Sequence, residues 1–238
     1  SFLPAGVAAI GAAVIGPTAK GPALIPTTVS SYSEFVNIFG GVFESGSGAT
    51  KDQYKYLTNY SAQEYLKYAD TLTVVRVLDG TFSAASGTIK TQGTSSVSDG
   101  SGDGTLAGGG ADCFTLTTLS HGADQTSGTG PSETLGTNEL LASGSANNLR
   151  YEVSNVSKNK GTFNVTIRRG DDTSKRKIIL EQYNGVNLDP NSPNYIARRI
   201  GDQVATAKDI ATLDPYIQYE GDYPNRSKLV RVTVNKKT

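Results

Sequence analysis

Several groups of residues have the types and spacings to do chemistry. Gly16-Pro17-Thr18-Ala19-Lys20-Gly21 carries the glycines and the lysine of a phosphate-binding loop. That loop needs successive backbone N–H donors and a Gly-Lys-Ser/Thr ending. Here Lys20 precedes the glycine, and Pro17 and Pro22 each remove a donor, so the segment reads as a turn. Asp99-Gly100-Ser101-Gly102-Asp103-Gly104 opens like a calcium loop, but Gly110 stands where the bidentate glutamate belongs. It reads as an acidic turn, with surface calcium as the lesser alternative. His121 is the sole histidine and Cys113 the sole cysteine, which leaves too few nitrogen and sulfur ligands for zinc and no intrachain disulfide. A Ser–His–Asp triad is formally available, yet no Gly-x-Ser-x-Gly elbow accompanies it. His121 is expected at the surface, and Cys113 as a small buried hydrophobe. Arg168, Arg169, Lys175, Arg176 and Lys177 form a basic hairpin tip, and Arg198-Arg199 lie on an expected helix. Such clusters are usually solvated faces; in an assembling protein they can meet an acidic neighbour. No aromatic residues alternate with them, so no nucleic-acid site is read. No catalytic, cofactor-binding or metal-binding residue is assigned, and no enzymatic activity is expected.

The elements that would carry these groups follow from periodicity. Ala8 to Ile15 is β-capable and stops at Gly16-Pro17. Ser31 and Glu34 form a capping-box signature. Phe35, Ile38 and Phe39 then supply the apolar face of a short helix closed by Gly40. Asp52 to Tyr68 reads as one longer helix, with Tyr54, Leu57, Ser61, Tyr65 and Tyr68 as its packing stripe. Thr71 to Leu78 is a strand covered on both faces, apolar but for Arg76. Short strands are expected at Gly87 to Thr91 and Cys113 to Leu119. Phe163, Val165 and Ile167 alternate with polar residues, and Arg176 to Gln182 returns as the hairpin partner. Ser192-Pro193 reads as the N-cap and first residue of a helix carrying Tyr195, Ile196 and Ile200, closed by Gly201. Val230, Val232 and Val234 share one face of a last strand.

The expected fold class is therefore α+β, a mixed α/β core. Residues 1–80 and 145–238 would form a discontinuous core domain. Residues 81–144, rich in Gly, Ser and Thr, would form an inserted β-rich domain whose deletion leaves a folding unit. Across the 238 residues, 22 Lys plus Arg balance 22 Asp plus Glu, which gives no electrostatic case for nucleic acid or an anionic membrane. There is no apolar run long enough to span a bilayer. The chain begins at Ser1 and has no methionine, which reads as a processed, trimmed or incomplete chain.

Two distant segments carry a family resemblance. The first is Val14-Ile15-Gly16-Pro17-Thr18-Ala19-Lys20-Gly21-Pro22-Ala23-Leu24-Ile25-Pro26-Thr27, running on to Gly40. The second is Val186-Asn187-Leu188-Asp189-Pro190-Asn191-Ser192-Pro193-Asn194-Tyr195-Ile196. Ala146-Asn147-Asn148-Leu149 and Gly221-Asp222-Tyr223-Pro224-Asn225 add to them. Together they resemble the tail sheath protein of contractile phage tails, in its N-terminal and middle portion. The resemblance implies a structural subunit located in the virion and needing no cofactor. Its partners would be other sheath subunits, the tail tube and the baseplate, with no direct nucleic acid and no membrane insertion. Contraction of such a sheath drives the tube through the host envelope. The resemblance also implies that an arm and a C-terminal domain beyond this chain supply the strongest subunit contacts, so the chain alone is expected to be monomeric. The alternative reading is a β-rich surface or adhesion module that binds carbohydrate.

Overall fold

A computed structural model describes residues 11–45, 52–80, 82–90, 111–121, 147–173, 175–210 and 213–235. Its strands are β1 (Ala12–Gly16), β2 (Thr27–Val29), β3 (Phe43–Ser45), β4 (Asp52–Tyr54), β5 (Leu72–Arg76), β6 (Ala84–Lys90), β7 (Asp112–His121), β8 (Leu149–Ser157), β9 (Thr162–Arg169), β10 (Ile179–Val186), β11 (Val204–Ile210), β12 (Leu213–Glu220) and β13 (Val230–Val234). Its helices among the described residues are α1 (Tyr32–Phe39), α2 (Leu57–Tyr65) and α3 (Ile196–Ile200).

The expected mixed α/β core is overturned: the fold is mostly β-sheet with three short helices. The long helix expected over Asp52 to Tyr68 is the clearest loss. Asp52–Tyr54 instead pairs antiparallel with Phe43–Ser45, and only Leu57–Tyr65 is helical. Of the expected packing stripe, Tyr65 does pack, half-buried against the core with its hydroxyl accepting the Ala12 N–H at 3.3 Å, but the rest of the stripe is not the buried face. Leu57 and Tyr68 are 83% and 90% exposed, while Thr58, Asn59 and Ala62 are buried. The reason is the closeness of β1. A Cβ on Gly16 would sit 2.5 Å from Thr58 Oγ1, so only small side chains fit between helix and strand.

α1 forms as its sequence dictates. Ser31 Oγ accepts the Glu34 N–H at 3.2 Å. The Glu34 carboxylate reaches back to the Ser30 N–H and hydroxyl rather than to Ser31. Phe35, Ile38 and Phe39 are buried against Val29, Leu72 and Val74 of the sheet β1-β5-β2. In that sheet β1 runs parallel to β5, and β2 antiparallel to it.

Two antiparallel three-stranded sheets, β13-β7-β6 and β10-β9-β8, pack face to face. Phe114 of β7 stacks on Phe163 of β9, ring centroids 5.5 Å apart and nearly parallel. Leu116, Val230 and Val232 on one sheet and Val165, Ile167 and Tyr151 on the other complete this layer of the single core. α3 lies against β13 and β10. Its Ser192-Pro193 start is corrected too: the helix begins at Ile196. Ser192 closes the preceding turn, its Oγ accepting from the Asn194 N–H and the Asn187 amide. The pair β11–β12 forms a hairpin of its own.

β6 and β7 lie inside the 81–144 segment expected as a separate insertion. β7 is nevertheless the central strand of its sheet, bonded to β13 from the expected core. The boundaries at 80 and 144 thus cut through a sheet. Removal of residues 81–140 should abolish cooperative unfolding, because the core layer loses Phe114 and Leu116. The point substitution Phe114→Ala should cost about 3–5 kcal/mol, read from urea unfolding. A loss below about 1 kcal/mol would mean that the layer between the two sheets is not the core.

Candidate functional site

Arg76 is the buried charge at the end of β5, and the loop that resembles a phosphate cradle folds around it. Its Nε donates to Thr18 O at 3.2 Å, and its Nη1 to Gly21 O at 2.8 Å and His121 O at 2.7 Å. The loop also binds the end of β7 directly. The Gly21 N–H donates to Ser120 Oγ at 2.6 Å, and the His121 N–H to Gly21 O at 3.1 Å. Gly21 has φ +114°, and a Cβ there would lie 2.5 Å from the Phe39 ring. The glycines of this loop therefore serve packing.

Lys20 is buried rather than presented to solvent. Its pKa is lowered from 10.5 to about 8, by burial first and then by the like charge of Arg169, with Asp171 opposing. His121 was expected at the surface. It is half-buried at the end of β7, where Nδ1 accepts the Ala23 N–H at 3.1 Å and Phe82 meets its ring edge-on. Burial, then the charges of Arg76 and Arg231, hold its imidazole below the ordinary value. It is thus neutral at neutral pH, and with Nδ1 accepting, Nε2 carries the proton.

His121 lines a cleft of about 330 Å³. Pro22, Ile25 and Pro26 line it, as do Val204, Ala205 and Tyr219 at the root of the hairpin. Arg231 and Lys228 stand on the β13 side. None of the described lining residues is acidic. Glu181 lies behind, satisfied by Ser227 Oγ, the Lys228 N–H and the Tyr183 hydroxyl. Burial depresses the Arg231 pKa, but a guanidinium stays charged at neutral pH.

The basic hairpin tip is not the free face expected. Arg168 is buried, binding Asp172 through Nε and Nη2 at 2.7 and 2.8 Å and Glu152 through Nη1 at 3.0 Å. Arg150, also buried, donates to Asp172 through Nη1, while its Nε and Nη2 have no partner. Arg169 pairs with Asp171, and Lys177 with Glu152. Most of this charge is therefore spent on acids of the hairpin and of the neighbouring β8. Arg198 and Arg199 remain exposed on α3, Arg198 lying over the Tyr223 ring. Cys113 is half-buried against the core. Asp99 to Gly110 lies outside the described residues. Among those described, no group of three or more His, Cys, Asp or Glu is arranged to hold a metal ion, and no helix is long and apolar enough to cross a membrane. Arg231 and Lys228 carried no sequence signal: an arginine in a Val-rich terminal strand looks like its solvent face.

No protein-family model matches the chain, and a search of curated proteins returns no match.

Lys20 makes stability depend on pH in a specific direction. Its folded pKa lies below the unfolded value of 10.5, so the unfolded chain binds the extra proton between about 8 and 10.5. Stability from this group is lowest below pH 8 and rises through that window. Lys20→Met should be more stable than the parent by up to about 3 kcal/mol at pH 7, the gap closing as pH approaches 10.5. Urea unfolding of both proteins across that range checks it. In addition, His121→Ala should cost about 1 kcal/mol, because it strands the Ala23 N–H.

Proposed function

We propose that this protein is a structural subunit of the contractile sheath around a phage tail tube, its place the virion. Its partners in this reading are other sheath subunits and, through them, the tube and baseplate. The observation that carries the reading is the β11–β12 hairpin. A two-stranded ribbon is marginal in water unless something covers it. Among the described strands this one pairs with no other, and both its outer edges are unpaired. Tyr216 and Tyr219 are 48% and 59% exposed on it.

The root of the ribbon, by contrast, is firmly held by one of the segments that carry the resemblance, Gly221 to Asn225. Asn225 takes the Gln203 N–H on Oδ1 at 3.0 Å and returns Nδ2 to Gln203 O at 2.7 Å. Asp202 Oδ1 accepts the Tyr223 N–H at 2.7 Å. Gly201, at φ +111°, lets the chain pass Asn225, whose Cα would lie 2.3 Å from any added Cβ. A fixed root with an uncovered ribbon is an element that a neighbouring chain completes by adding a strand. Such contacts are weak singly and strong when a subunit is held at several points. That property suits a sleeve that must hold and later rearrange.

Electron microscopy of the product of the complete gene should show tubular sleeves. Tyr216→Glu should abolish them while leaving the circular dichroism spectrum unchanged. At micromolar concentration the chain by itself should sediment mostly as monomer. Saturable binding of neutral oligosaccharides by a protein that never assembles would overturn the proposal in favour of an adhesion module.

A further inference from the structure

The cleft beside His121 has a chemistry that the sheath reading does not use. Arg231 is half-buried, and no described side chain pairs with its guanidinium. Lys228 stands next to it, and the neutral His121 adds an N–H donor. Asn225, Ser227 and Thr118 also line the cleft, but their polar atoms are engaged internally. The groups left over on the β13 side are therefore donors. Holding a guanidinium half out of water without a counter-charge is unfavourable, and its fork fits the two oxygens of a carboxylate.

The walls say what carries that carboxylate. Pro22, Ile25, Pro26 and the Tyr219 ring are apolar, and the volume exceeds what a single small anion fills. Thr27 and Thr28 belong to β2, an outer strand of its sheet with one edge unpaired among the described strands. Val204 and Ala205 belong to β11, whose outer edge no other described strand pairs. Strand edges with free N–H and C=O groups recognise extended polypeptide backbone.

We propose that this cleft binds a glutamate or aspartate side chain of an extended peptide segment from a partner chain, with Arg231 receiving the carboxylate. Lys228 supports the charge from the rim, and the proline wall and Tyr219 take the apolar residues flanking the acid. This site stands independently of the sheath assignment, because it follows from the cleft alone.

The test is fluorescence anisotropy on the full chain with a labelled peptide, Thr-Val-Thr-Glu-Val-Thr, and its Gln counterpart. The Glu peptide should bind at least about tenfold more tightly, and the preference should shrink with added salt. Arg231→Gln should erase the preference while leaving binding of the Gln peptide unchanged. Lys228→Glu, at an exposed rim position, should weaken the Glu peptide alone; it decides the matter if Arg231→Gln does not fold. Glucuronate and inorganic phosphate should fail to displace the peptide at equal concentration. Equal affinity for the two peptides, no binding of either, or a preference that survives both substitutions would overturn the proposal. So would Arg231-dependent binding of glucuronate or phosphate by a protein that ignores the Glu peptide.

Discussion

The buried guanidinium of Arg76 ties together parts of the molecule that the chain keeps far apart. It ends β5, yet it bonds the carbonyls of Thr18 and Gly21 from the first loop and of His121 from the end of β7. A buried arginine must satisfy its donors or cost several kcal/mol, so these three strand ends have little freedom to separate. The consequences spread outward. The loop from Gly16 to Ala23 is pressed onto β7, Gly21 is forced against Phe39, and His121 is fixed in one tautomer by the Ala23 N–H. Through β7 the constraint passes to β13 and to the Phe114–Phe163 layer. Both the first small sheet and the facing pair of sheets thus hang on one side chain.

A second buried charge group works differently. Asp172 sits between Arg150 and Arg168, all three with almost no exposed surface. The carboxylate also accepts the Ile178 N–H, so it fixes the turn joining β9 to β10 as well as the two arginines on adjacent strands. Arg150 and Arg168 are direct cross-strand neighbours, and like charges in that position repel unless something lies between them. Asp172 fills that role. Burial of such a group adds little net stability, and its effect is to fix geometry, since no other register places the acid between the two arginines.

With its charges folded inward, the protein turns other features outward: open strand edges, a self-paired hairpin and a cleft lined by donors. In the two proposals these are the surfaces that meet another chain. The hairpin offers backbone, which pairs with little regard to sequence, whereas the cleft offers Arg231 and Lys228, which discriminate by charge. The two share Val204, Ala205 and Tyr219. A segment seated in the cleft would therefore also brace the root of the hairpin.

Much of the local structure was legible in the sequence. The Ser31–Glu34 cap, the buried Phe35, Ile38 and Phe39, the alternation around Val165 and the final Val230 and Val232 face all follow from short-range spacing. These features rest on contacts within one turn or one strand, and periodicity encodes such contacts directly. The fold class and the site were not legible. Tyrosines at helical spacing over 52–68 suggested one long helix, and only the pairing of β3 with β4 and the approach of Gly16 to Thr58 decided otherwise. The residues of β11 and β12 whose burial is described are exposed or half-buried, so no fully buried face marks these strands in the sequence. His121 and Arg231 lie more than a hundred residues apart and meet only because β7 pairs with β13. The same pairing drew β7, from within the Gly/Ser-rich segment, into the core. The sequence by itself determined which short stretches curl or extend and which faces they bury. The tertiary structure alone decided which strands pair, and hence which charges share a cleft, because strand partners are chosen by packing across the whole chain.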